Sequence, residues 1–514
     1  MRHTKMNKIA RTFVLVGVLV CILLAFHLLP KVVLDDTELR KVSILSDILP
    51  EAEDRDDSGE PVVAEIVDSL DEGEDDGADE SSELVAKNEE SPKKGAEAPK
   101  AETKEEEGSA VVEISEEEIS EEKSSADKSS ADKNHPVVST ALLKDFSNGA
   151  EGGMYHFFNS LKNNAKKRPV RIAYFGDSFI EGDIMTCDLR EMLQSKFGGS
   201  GVGWVDCKDR LNGFRKTVKQ KSSGVTEYAN GLKAYNKALV GINQRYFVPT
   251  NSAQTWVGAS KEKKHLDQWQ RSSIYLKTAN GVSVSTTTNK EKIGPKAIKG
   301  SSQVQVVNHD GNGVSEVGFQ FSNVSANTYL YGMALESKNG VILDNFSFRG
   351  SSGVPLGQIP EETLSDFAKL RPYDLIVLHY GLNMTSDKAP LSVYQSYTKR
   401  MVRVINHLRE AYPHTSILVV SIPDRCQRTG GVIKSLKSVE TMVKQQQAMA
   451  SNGHVAFFNL YSAMGGKDSM KSMVSKGMAG KDYTHITFAG GKQMAQYLYN
   501  GLMEGYDKYE KGQK

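Results

Sequence analysis

The 514-residue sequence has only four cysteines, and one of them, Cys21, lies inside an apolar run near the start. Cys187, Cys207 and Cys426 fit neither paired Cys-x-x-Cys zinc spacing nor a small secreted scaffold. They read as core thiols with at most one bridge among them, and neither a metal site nor a cofactor is expected. Gly198, Gly199, Gly201 and Gly203 follow a helical stretch and lack the Gly-Lys-Ser/Thr ending of a phosphate loop, so they read as a helix cap and turn. No nucleic-acid recognition motif is present, and nucleic acid is not an expected partner. Net charge is almost absent too, at −1, but this average hides three opposed segments. Residues 1–30 hold 4 basic and no acidic residues, residues 31–140 hold 12 and 35, and residues 141–514 hold 48 and 30, giving +4, −23 and +18. Such asymmetry excludes one uniform globule and implies a basic start, an acidic tether and a basic folded region.

The first segment carries the chain's long uncharged run, Phe13 to Leu29. As a helix it spans about 25 Å, and adding Ile9 to Thr12 brings it to about 31 Å, enough for a hydrocarbon core of roughly 30 Å. No Ala-x-Ala-like site follows, so residues 13–30 read as an uncleaved transmembrane signal anchor rather than a removed signal peptide. Arg2, Lys5, Lys8 and Arg11 precede the run, which leaves residues 1–12 in the cytoplasm and the rest of the chain outside. The expected location is therefore single-pass in the inner (cytoplasmic) membrane, with the folded region in the periplasm or outside the cell. Residues 31–138 are poor in aromatics and contain the acidic repeats Glu113 to Glu122 and Ser124 to Lys133, a composition expected to stay disordered as a linker. About 100 such residues have an r.m.s. span near 55 Å, so the folded region would work well away from the bilayer.

After Pro169 the pattern changes. Val170 to Phe175 is a short β-prone run, Gly176-Asp177-Ser178 forms a turn, and Ile184 to Phe197 has helical periodicity. Open α/β sheets place their sites at such strand C-termini. Leu375 to His379 reads as a second buried parallel strand, running into Gly381-Leu382-Asn383. Near the C-terminus Asp482 stands three residues before His485, with a helix opening near Thr487. Ser178, Asp482 and His485 thus occur in an order and context that can assemble a triad. His379, on an apolar strand, reads as a packed, hydrogen-bonded histidine.

These blocks resemble the SGNH (GDSL-type) hydrolase family over Arg168 to about Trp204 and Val341 to about Tyr506, and the arrangement is similar to its peptidoglycan and polysaccharide O-acetylesterase branch. The resemblance implies an α/β three-layer sandwich with a parallel central sheet. It divides the chain into residues 139–204 and 341–514 as the two parts of the hydrolase domain, with residues 205–340 inserted between them. It further implies Ser178 as nucleophile, His485 as base, Asp482 as the group orienting the imidazole, and Asn383 with the backbone of Ser178 and a glycine as oxyanion hole. Gly350 is assigned as that glycine, with Gly353 the alternative. Where the family commonly has an acidic residue after the Gly-x-Asn motif, this chain has Met384, which puts substrate-side contacts there in question.

The inserted residues show alternating runs at Ser273 to Lys277, Gly281 to Thr287, Val304 to Asn308, Val317 to Phe321 and Thr328 to Met333, the pattern of an antiparallel β-sandwich. Trp256, Trp269, Tyr235, Tyr246 and Tyr275 offer stacking faces for sugars but read first as core. The +18 of the folded region suits an anionic glycan or the chain's own acidic tether. The leading expectation is a membrane-anchored extracytoplasmic serine esterase removing O-acetyl groups from a cell-envelope polysaccharide. An O-acetyltransferase with the same triad and a membrane acyltransferase partner, and an inactive glycan-binding protein, remain open alternatives.

Overall fold

The computed structural model describes residues 137–149, 152–232 and 234–512, together with the backbone of Val33–Leu34 and Thr37–Glu38. The latter two pair as a short antiparallel ladder within a unit spanning Met1–Asp68, and all else described belongs to a second unit. The anchor expected at residues 13–30 lies outside the described residues, as does nearly all of the acidic linker expected at 31–138. Among the described residues no helix is long and apolar enough to cross a membrane.

Among the described residues, seventeen strands follow residue 137. They are β1 (Leu143–Asp145), β2 (Pro169–Gly176), β3 (Gly203–Val205), β4 (Lys219–Ala229), β5 (Arg245–Gly258), β6 (Trp269–Thr278), β7 (Val282–Thr288), β8 (Glu291–Ile298), β9 (Ser301–Val314), β10 (Glu316–Ser322), β11 (Thr328–Glu336), β12 (Gly340–Ser347), β13 (Leu375–His379), β14 (Ser416–Val420), β15 (Cys426–Thr429), β16 (Val432–Ser435) and β17 (Ala456–Phe458). The main helices are α1 (Tyr155–Asn163), α2 (Thr186–Phe197), α3 (Glu361–Leu370), α4 (Leu391–Ala411), α5 (Lys437–Asn452) and, at the C-terminus, α8 (Phe488–Gly512), with the short α6 (Leu460–Ala463) and α7 (Ser469–Ser475) between the last two.

Six strands form a sheet in the order β12-β2-β13-β14-β17-β1, parallel throughout except for β1. Every residue of β13 and β14 is buried, whichever face it points to, so both faces are covered. The covering helices form two groups, α1 and α2 packing with α8, and α3 and α5 packing with α4. Registers align the carboxyl ends of three neighbouring strands, with Gly176 opposite both His379 and Ser347. The segments leaving β2, β12 and β13 therefore emerge side by side.

Nine of the remaining strands, β3 to β11, make one antiparallel sheet ordered β8-β7-β10-β5-β11-β6-β9, with β4 on β5 and β3 on β11. The expected sandwich is thus a single connected sheet. Its two halves meet through only one residue pair between β5 and β11, Leu330 and Phe247, and they enclose a shared core that includes Val257, Phe319, Ile274, Leu276, Leu330 and Met333. Trp269, Tyr246 and Tyr275 are buried, while Trp256 and Tyr235 are half-buried. All three folded-region cysteines are buried and free, so no bridge forms.

A buried charge cluster joins the two sheets. Arg371, fully buried, donates to both oxygens of Asp344 on β12 at 2.6 and 2.8 Å and contacts Glu336 on β11 at 3.0 Å. Arg171 on β2 donates to the same glutamate, and Tyr373 to the same aspartate. Burial opposes ionisation of Glu336, but the two guanidiniums outweigh it and lower its carboxyl to about 2.

Candidate active site

Ser178 opens a 3₁₀ turn, Ser178–Asp183, between β2 and α2. Three groups fix that turn. Asp177 accepts the Phe179 amide at 2.9 Å, and Asn345 donates from β12 to the Ile180 carbonyl at 2.8 Å. Asp183, wholly buried, accepts from Arg190 of α2 at 2.9 Å, and from Arg215 at 2.9 Å and Thr217 at 2.6 Å on the inserted segment. Burial alone would raise the Asp183 carboxyl, yet the two arginines hold it far below the usual range. The turn is thereby braced by the sheet, by the following helix and by the insertion.

His485 comes from a tight loop ahead of α8. The Gly480 amide donates to the His485 carbonyl at 2.7 Å, and Ala479 bridges Ile486, closing residues 480–485 into a small hairpin. Inside it the amides of Thr484 and His485 both donate to Asp482 Oδ1 at 3.1 Å. The other oxygen, Oδ2, lies 2.7 Å from His485 Nδ1, and His485 Nε2 lies 3.1 Å from Ser178 Oγ. Desolvation raises the Asp482 carboxyl, but the imidazole and the two amides prevail and lower it to about 2. A carboxylate there favours the tautomer with its proton on Nδ1, leaving Nε2 to accept from the serine hydroxyl. The His485 and Asp482 side chains are 47% and 51% exposed, so water reaches this line.

Asn383 sits on the 3₁₀ turn after β13, and its side-chain amide donates to Asp177 Oδ2 at 3.0 Å and to the Ser351 carbonyl at 3.2 Å. It therefore stands between the Ser178 turn and the segment leaving β12. Gly350 in that segment is exposed, with open space where a Cβ would lie, whereas Gly353 is buried against Tyr380 and Met401. Met384 is buried, so its side chain is not offered to a substrate. His379 is buried beside Tyr174 and Phe179, with Nδ1 3.0 Å from the Tyr174 hydroxyl, and burial lowers its pKa to about 3.

Sequence reading missed the tie between Asp177 and Asn383, because the two are 206 positions apart and only the sheet register brings them together. It also missed Phe214, an exposed ring of the insertion that packs on Phe488 at the start of α8, with Lys216 4.8 Å above the same ring. Away from the serine–histidine line, Glu361, His407 and Glu410 bring ligand-capable atoms within 4.8 Å of one another, with both glutamates exposed. Exposed acidic groups gather in this way without an ion.

An α/β fold with a largely parallel sheet thus carries a serine at the end of one strand and a histidine–aspartate pair before the last helix. Among solved structures the chain is similar to one of a peptidoglycan O-acetylesterase, at 19% identity and a TM-score of 0.59, over 72% of this chain and 100% of that one. The likeness is one of fold, and it agrees with the α/β architecture that the motif resemblance implied. A family two carbohydrate esterase from Cellvibrio japonicus matches over 56% of this chain and 98% of its own at 11% identity and a TM-score of 0.24. An acetyl xylan esterase matches over 31% and 80% at 14% identity and a TM-score of 0.25. No protein-family model matches the chain, and no curated protein matches it in sequence.

Proposed function

We propose that this chain is a serine esterase that removes O-acetyl groups from a cell-envelope polysaccharide, acting outside the membrane that its N-terminal segment spans. The observation carrying this reading is the continuous hydrogen-bond series from Ser178 through His485 to Asp482. Ser178 Oγ attacks the acetyl carbonyl carbon while His485 Nε2 takes its proton. Asp482 stabilises the resulting imidazolium and holds its ring plane. The carbonyl oxygen gathers negative charge, for which the Ser178 and Gly350 amides and the Asn383 side chain are the donors. Asn383 gives up its longer bond, to Ser351, to serve there.

Collapse breaks the ester C–O bond, and His485 returns the proton to the departing sugar oxygen, leaving acetyl-Ser178. Water then attacks the acyl carbon, again losing its proton to His485, and acetate leaves as the serine is restored. The open His485–Asp482 edge supports water, rather than a second sugar, as the acceptor. The fold similarity to a peptidoglycan O-acetylesterase supports an acetylated glycan as substrate.

Full-length protein should hydrolyse a small acetyl ester, and Ser178→Ala should lower kcat by roughly a thousandfold or more with its melting temperature little changed. Equal rates for the two proteins would overturn the assignment.

A further inference from the structure

A cleft of about 520 Å³ opens between the end of the Ser178 turn, at Gly182 and Asp183, the end of β12, at Asn345–Ser347, and the inserted segment 206–221. Gly182 is four residues from Ser178, so this wall lies within about 14 Å of the serine along the chain. Seven cationic side chains line the cleft against three carboxylates. The carboxylates are already engaged, two of them with Arg210, Arg215 and Arg245 of the same cleft, which leaves its four lysines as the surplus. Asp183 is held by Arg190 and Arg215, Asp206 pairs with Arg245 and Arg210, and Asp209 accepts the Leu211 and Gly213 amides of its own loop. Lys208, Lys216, Lys219 and Lys221 are exposed on the same wall, and among the described residues no ion pair to a carboxylate holds them. On the floor, Arg245 is 2% exposed, and its Nε has no hydrogen-bond partner, with Glu227 3.5 Å away in an ion-pair contact.

A concave, one-signed surface of this kind focuses field on small anions, and surplus cations beside a reactive serine select what binds next to the scissile ester. We propose that the cleft is the subsite for an anionic substituent, a carboxylate or a phosphate, on a saccharide unit neighbouring the acetylated one. The proposal rests on the esterase reading and names its substrate class as an acidic, O-acetylated glycan. The chain's own acidic segment is the competing occupant. The glycan is favoured because the cleft shares a wall with the turn that presents Ser178.

Binding is read by calorimetry on full-length Ser178→Ala protein, in which turnover does not intrude, with hexagalacturonate, a glycerol-phosphate oligomer and neutral xylohexaose at 50 mM NaCl. At least one anionic probe should bind roughly tenfold or more tighter than xylohexaose. That preference should fall at least about fivefold in Lys208→Ala/Lys219→Ala, and it should fall in the intact protein at 0.5 M NaCl, where screening shortens to a few ångström. Which anionic probe binds decides between carboxylate and phosphate. Equal affinity for charged and neutral probes overturns the proposal. So does anion binding that appears only when Glu116, Glu117 and Glu118 are replaced by Gln, which assigns the cleft to the chain's own acidic segment. Ester hydrolysis by wild type without anion preference removes the subsite and leaves the esterase. Anion preference without hydrolysis removes the esterase and leaves the subsite.

Discussion

Asp177 touches neither Ser178 Oγ nor His485 in a hydrogen bond, yet it decides where Asn383 points. One oxygen takes the Phe179 amide and the other the Asn383 side-chain amide. Burial raises its carboxyl to about 7, against the opposing pull of the Phe179 amide and His485. The folded protein therefore keeps this proton to higher pH than the unfolded chain, where the group titrates near 3.8. Stability from Asp177 is complete below about pH 3.8, declines as pH rises and levels above about 7. Asp177→Asn should remove that decline, so the melting temperature of the variant relative to wild type should climb between pH 4.5 and 7. Glu336 and Asp482 titrate below this window and do not disturb it. Because asparagine offers Asn383 one acceptor in place of two, ester turnover should fall at least tenfold. A constant difference in melting temperature across that range would refute the buried-proton account.

At the scale of elements, the contact between Ser178 and His485 depends on how closely α8 approaches the Ser178 turn. A Cβ on Gly491 would lie 1.8 Å from the Ile184 carbonyl oxygen, so only glycine permits this contact. Gly491→Ala must push the first turn of α8, and His485 just ahead of it, away from Ser178. Overpacking of this kind costs about 1–3 kcal/mol, and turnover should fall further than the melting temperature alone explains. Unchanged kcat in the variant would show that the helix has slack. The strands leading to Ser178 and Asn383 were legible because β2 and β13 are short apolar runs ending in glycine-bearing turns. Four of the five alternating runs in the insertion fell within longer strands, and Gly281 to Thr287 overlapped β7 one residue off. By contrast β4, with its lysines and serines, buries only Val225 and Ala229, and β8 is exposed along nearly its whole length, so hydropathy had little to report. The fourteen-residue β5 was hidden by the polar Thr250 to Gln254 stretch at its centre. The sequence placed Gly350 ahead of Gly353 without access to what separates them, the packing of Gly353 against Tyr380 and Met401, residues distant in the chain.

For the whole molecule the question is what keeps the inserted sheet fixed to the sheet that carries the serine. Hydrophobic contact alone would allow sliding, whereas Arg371 pins β11 to β12 by holding Glu336 and Asp344 at once. Arg371→Leu leaves two buried carboxylates with one fewer cation, a change that costs about 3–5 kcal/mol, and the urea midpoint should drop accordingly with little change in slope. The pH dependence gives an independent reading. Glu336, lowered from 4.5 to about 2, contributes stability that is complete above pH 4.5 and is lost as pH falls toward 2. Without Arg371 that contribution shrinks, so the acid-unfolding midpoint should move to higher pH. A variant as acid-resistant as wild type would mean that Arg171 alone satisfies the glutamate. If the loss appears instead, the same cluster also fixes the anion cleft, because its inserted wall and its β12 wall belong to the two sheets that Arg371 joins. Arg371→Leu should then weaken anion binding and small-ester turnover together, whereas the lysine double variant should change chiefly the preference for charge.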